Sequence, residues 1–155
     1  MEIIKYQLGI AEGLPSSALY MMFSINKDND VKFGLKVLQK FVDGKSVVAG
    51  FGKDLLQMFD LPSDDNFKRA KFNNERMPDN DGYGLVLWLR GDDRGELFHN
   101  ALNIRKALQD FFTVEKIVSS YTYHGKYDLS GFEDGIENPK GEEVVPASVI
   151  PEGKL

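Results

Sequence analysis

Gly84-Leu85-Val86-Leu87-Trp88-Leu89, then Asp93-Arg94-Gly95-Glu96, a long helical pattern, and the run from Val114 to Tyr123 form the stretch on which the fold turns. The first segment is short, apolar and free of Pro, as suits a strand. Asp93 with Glu96 three residues on has the form of a capping box, so a long helix is predicted from there. Leu97, Ala101, Ile104, Leu108 and Phe111 recur at helical spacing, and Phe98 and Leu102 would broaden that stripe enough to lie across a sheet. Val114 to Tyr123, rich in β-branched and aromatic residues, is the strand that closes the unit.

The same order of elements precedes it. Ala18 to Ile25 is a nearly continuous apolar run and is predicted as a strand. Asn26 to Asn29 makes a turn, and Asp30 can cap a helix whose Val31, Leu35, Leu38 and Val42 share one stripe, with Gly44 as its stop. Ser46 to Phe51 is a second strand, and Gly52 to Phe59 a short helix. Leu61 to Gly82, with Pro62, Pro78, four Asn and Asp65, is predicted as a long surface connection. Strand, helix, strand, strand, helix, strand is the split βαβ order. We therefore expect an α+β, ferredoxin-like fold, with a four-stranded antiparallel sheet carrying helices on one face. Residues 1–127 would form this domain and 128–155 an extended C-terminal arm, since the glycines and prolines beyond Tyr123 leave no room for another long element.

The 155 residues suffice for one sizeable core. With 24 acidic and 19 basic residues the chain carries a net charge of -5 and has no block of Lys and Arg, so nucleic acid is not an expected partner. No run approaches the roughly 20 apolar residues that cross a bilayer. Met1-Glu2-Ile3-Ile4-Lys5 lacks the basic and apolar regions of a signal peptide, and a cytoplasmic location is expected. The absence of cysteine rules out disulfides, thiolate catalysis and Cys-ligated haem together.

The chemically informative segment is Asp128-Leu129-Ser130-Gly131-Phe132-Glu133-Asp134-Gly135-Ile136-Glu137-Asn138-Pro139. Gly131 and Gly135 permit positive φ and close approach of backbone to a flat ligand, and Asn138-Pro139 fixes the exit turn. Asp134 is thereby presented on a stiff loop. Asp-Gly and Asn-Pro are also ordinary turn dipeptides, and by themselves they describe a plain loop.

This segment resembles the Gly-x-x-Asp-Gly signature of dye-decolourising (DyP-type) haem peroxidases. Gln7 to Gly9, Ser46 to Gly52 and Gly84 to Leu89 fall where that family has comparable segments. Ile136 departs from it, many relatives having Thr there. The resemblance covers most of this chain but about the first half of a family member. It implies the dimeric α+β barrel-type superfamily, and haem b as cofactor. It also implies Asp134 as the distal acid-base group, with Gly131, Phe132, Glu133, Gly135 and Ile136 along the cofactor. Hydrogen peroxide and a bulky electron donor would be the substrates. A carboxylate above the metal suits this work, because peroxide must lose a proton from one oxygen and gain one on the other; burial against the porphyrin would raise its pKa.

In that family a second ferredoxin-like domain supplies the proximal His and a distal Arg. This sequence ends at Lys154-Leu155, near where that domain would begin, and inactivity of the 155 residues alone is expected. His99 belongs to the polar side of the long helix and His124 to the end of the fourth strand; both are expected to be solvated, and neither matches the proximal ligand. Trp88, Tyr121, Tyr123 and Tyr127 could relay electrons or simply pack the sheet. Glu133, Asp134 and Glu137 lack the spacing of a calcium loop, so no metal set is assigned. The competing expectation is a non-catalytic ferredoxin-like module that self-associates as a homo-oligomer, in place of pairing with a complementary C-terminal half. A third possibility is a homodimer that builds a haem pocket with His124.

Overall fold

Asp30 and Asp93 set the two long helices in place. In the computed structural model, which describes residues 6–61, 82–125, 127–133 and 135–149, the carboxylate of each accepts the backbone N–H three residues on. Phe33 donates to Asp30 at 3.0 Å and Glu96 to Asp93 at 2.9 Å. A free donor of each first turn is thus satisfied by the residue type that does this best. The elements are α1 (Leu8–Ala11), β1 (Ser17–Ile25), α2 (Val31–Leu38), β2 (Val47–Phe51), α3 (Lys53–Met58), β3 (Leu85–Gly91), α4 (Arg94–Leu108), β4 (Phe112–Tyr121) and α5 (Val144–Ala147). A single 3-10 turn at Gly141–Glu143 leads into α5.

The strands form one antiparallel sheet in the order β2-β3-β1-β4. β1 and β2 flank β3 rather than each other, which is the split βαβ arrangement of a ferredoxin-like fold. Strand alternation then sorts the side chains. Leu19, Met21 and Phe23 of β1 pair with Leu89, Leu87 and Leu85 of β3, and all six are buried beneath the helices. Val47 and Phe112 extend this layer, and α4 covers it with Leu97, Ala101, Ile104 and Leu108. Each such side chain contributes about 1.5–3 kcal/mol on leaving water, so this layer dominates stability.

Departures from the sequence expectation in α4 and α2 have local causes. Phe98 and Leu102 do not broaden the α4 stripe: Phe98 is 60% exposed and Leu102 is also exposed. At roughly 100° per residue they stand well round the helix from the Leu97–Ala101–Ile104–Leu108 band, and only that band reaches β1 and β3. The helix stops at Leu108, so Phe111 lies beyond it and packs on Gly34 of α2, where an added Cβ would come within 2.6 Å of the Phe111 Cβ. α2 ends at Leu38, short of Val42, because Lys40 and Phe41 donate three residues back and tighten the last turn. Gly44 still supplies the positive φ, +74°. β4 starts two residues before the predicted strand. The long connection lies outside the described residues over 62–81. Among those described, no helix is long and apolar enough to cross a membrane.

Candidate functional site

After β4 the chain turns at His124-Gly125, both at positive φ, and builds the loop that carries the sequence signature. Tyr127 bridges both Tyr123 and Glu133, making a narrow ladder. Tyr127 donates to the Tyr123 carbonyl at 3.0 Å, and Asp128 to the Phe132 carbonyl at 3.0 Å. The Asp128 carboxylate accepts the Ser130 backbone N–H at 2.7 Å and the Ser130 hydroxyl. These bonds, the hydroxyl foremost, hold its carboxyl below the usual carboxylate range. The turn is therefore fixed by local side-chain bonding, as Asp at a turn start allows.

Gly131 has φ +89° and Gly135 φ +74°, so both occupy the left-handed region that their lack of a Cβ makes accessible. Around Gly131 a Cβ would meet nothing within 4 Å, so its backbone is open to close approach. Phe132 is 75% exposed and Ile136 61% exposed. Glu133 is exposed and Gly135 half-buried. Asp134 lies outside the described residues. The loop thus presents three large apolar side chains, Leu129 included, and bare backbone to the outside, a surface that a flat apolar partner would cover.

The described residues do not by themselves complete a haem site. An axial ligand is needed, and the two histidines are both exposed: His99 on α4, and His124 at a positive φ of 48° between the rings of Tyr123 and Tyr127, with centroids at 5.9 and 6.3 Å. Among the described residues no group of three His, Cys, Asp or Glu side chains could hold a metal ion.

The sheet face away from the helices is the second feature of the region. Tyr20, Met22, Val86, Trp88 and Val118 stand on it, half-buried or exposed. Tyr20 and Trp88 stack with centroids 6.1 Å apart and planes 6° apart, and the Arg90 guanidinium lies 4.5 Å from the Trp88 ring centroid. Arg90 is only 9% exposed. It donates to the carbonyls of Gly9, Gly13 (2.7 Å) and Glu12 (3.4 Å). The segment around α1 is thereby clasped over one end of this face. Gln7 reinforces the clasp, donating from Nε2 to the Gly44 carbonyl at 2.6 Å, and Lys45 pairs with Glu12 at 2.7 Å. The Trp88 indole N–H and the Arg90 Nε–H are buried, and among the described residues neither has a hydrogen-bond partner. Sequence inspection had ended the strand at Leu89 and so missed Arg90, although the alternation Val86, Trp88, Arg90 places it on this face.

The architecture defines an α+β protein with a ferredoxin-like fold. No protein-family model matches the sequence, and no curated protein matches it. Solved structures do. A protein from Shewanella oneidensis described as a DyP-type peroxidase superposes with a TM-score of 0.72 over 92% of this chain, at 21% identity, and the match takes in 51% of that protein. The dye-decolorizing protein from V. cholerae gives 0.73 over 89% of this chain and 51% of its own, at 18% identity. A DypB variant from Rhodococcus jostii in complex with heme gives 0.64 over 88% and 49%, at 18% identity. The fold of this chain is therefore one shared with DyP-type peroxidases, and the chain spans about half the length of the structures it matches.

Proposed function

We propose that the chain is the N-terminal half of a haem peroxidase of the dye-decolourising type, oxidising bulky organic donors with hydrogen peroxide. The observation that carries this reading is the match to such structures over about nine tenths of the chain. The Gly131-to-Gly135 loop follows the fourth strand with both glycines at positive φ. Bound haem b would supply the redox chemistry, and its axial ligand would come from a second unit. Gly131, Phe132, Glu133, Gly135 and Ile136 would lie along the macrocycle, with backbone and apolar side chains excluding water. Asp134 would take the proton from one peroxide oxygen and return it to the other. By itself the chain is inactive in this reading, because the second unit would have to supply the axial ligand.

The second unit is either a complementary C-terminal half or another copy. A cytoplasmic setting goes with this reading. The open sheet face, with Trp88, Tyr20 and Val118, also supports the alternative of a non-catalytic, self-associating module without haem.

Haem titration of the natural gene product, followed by visible spectroscopy with light scattering on the same sample, separates the two. A Soret band with peroxide-dependent dye oxidation, lost in Asp134→Asn, supports the peroxidase. A stable dimer with no Soret band supports the module. A strictly monomeric species without haem uptake overturns both.

A further inference from the structure

On the helix side of the sheet, away from the loop and the open face, the α2 segment, β2 and the residues just after α3 border an open trough of about 500 Å³. Its volume lies within the range of small-molecule sites, roughly 300–1,000 Å³. Its walls are Leu35 and Val42 from the α2 side, Ala49 and Phe51 from β2, and Phe59 after α3. Ala49 and Phe51 lie opposite Leu87 and Leu85 in the β2–β3 register, so the trough continues the core layer outward over the edge strand. α4 covers β1 and β3, and α2 packs on α4; neither closes the ground over β2, and Phe51 is left half exposed.

The polar part of the wall is uneven. Lys32, Lys36 and Gln39 line the trough, and among the described residues no acidic side chain does. Lys32 and Lys36 are four apart, so they stand one above the other on α2. Lysine stems lie along apolar surface while the ammonium stays at the rim. Among the described residues neither ammonium has an ion-pair partner; the one salt bridge joins Lys45 to Glu12. In a chain of net charge -5, two lysines without an acidic neighbour among the described lining residues depart from the background.

We propose that this trough binds a single-chain anionic amphiphile, an alkyl carboxylate, with the tail on Leu35, Val42, Ala49 and Phe59 and the headgroup between Lys32 and Lys36. Charge complementarity selects the head and the apolar walls select the tail. The proposal is independent of the peroxidase reading, because it uses no residue of the loop or of the open face.

Calorimetric titration of the whole protein with dodecanoate below its micellar concentration tests it, with dodecyltrimethylammonium as the same tail bearing the opposite charge. Saturable one-to-one binding of dodecanoate is expected, with the cation at least about tenfold weaker. The double variant K32E/K36E, whose side chains are exposed and whose melting temperature serves as the folding control, should lose dodecanoate binding by about tenfold or more. Absence of saturable binding, equal binding of the two headgroups, or undiminished binding by the double variant overturns the proposal. So does co-sedimentation with phosphatidylglycerol vesicles in the absence of dodecanoate binding, which would mark a membrane-facing surface instead.

Discussion

Replacing Arg90 with Ala removes the clasp that ties the α1 segment to the open sheet face. The guanidinium donates to the carbonyls of Gly9 and Gly13, more weakly to that of Glu12, and lies over Trp88. A hydrogen bond from a charged donor contributes about 1.5–3 kcal/mol, and a cation–π contact about 0.5–2 kcal/mol. Glu12 and Gly13 are exposed, so water recovers part of this once the arginine is gone. We therefore expect a net loss of roughly 2–4 kcal/mol. At about 2–4 °C per kcal/mol for a chain of this size, the melting temperature should fall by roughly 5–15 °C. Differential scanning calorimetry measures the shift, and hydrogen exchange at the Gly9 amide, which donates to the Gly44 carbonyl at 2.8 Å, reports release of the segment. Arg90→Lys should recover only part of the loss, since one ammonium cannot fork between several carbonyls. A variant Arg90→Ala that melts within a degree of the parent, with Gly9 protection unchanged, would refute the reasoning.

Asp43 accepts the backbone N–H groups of Lys45, Ser46 and Val47 at 2.7–2.8 Å. Partial burial pushes its carboxyl up, but these three donors outweigh it and the net shift is downward. Asp43→Ala should cost about 1–2 kcal/mol at neutral pH. That contribution is complete above the unfolded carboxylate value of about 3.9 and is lost as pH falls through the lower folded value, so parent and variant should converge in acid urea melts. Gly34→Ala places a methyl against Phe111 and should destabilise by about 1–3 kcal/mol despite the better helix propensity of Ala. The Phe111→Ala background should relieve only part of that, because the Cβ of residue 111, the nearest atom at 2.6 Å, remains while the ring goes, as a double-mutant cycle would measure. Asp93→Ala, which loses the α4 cap, should lower stability by about 1 kcal/mol in chemical denaturation.

Periodicity made the six principal elements legible, because each strand or helix buries one face and the burial dictates the spacing of apolar residues. Leu85, Leu87 and Leu89 against Val86 and Trp88 show this for β3. Periodicity did not separate Phe98 and Leu102 from the buried band, since how much of a helix a sheet can reach is a property of the assembled layers. α1 went unseen because it is four residues long and is held by tertiary partners, Arg90 and Gly44, that no local pattern announces. Of the candidate site, the turn chemistry of Gly131 and Gly135 was visible, since left-handed backbone selects glycine locally, whereas the Asp128–Ser130 bonding was not. The outward exposure of Phe132 and Ile136 was not, because only the assembled structure shows which surface is left bare.

The account rests on Asp134 moving a proton for peroxide beside a bound haem, and stopped-flow mixing of the haem-loaded natural protein with hydrogen peroxide tests that most directly. The account predicts that Asp134→Asn, with its Soret band retained, reacts with peroxide about 10²–10⁴-fold more slowly than the parent. Equal rates for the two proteins would contradict it.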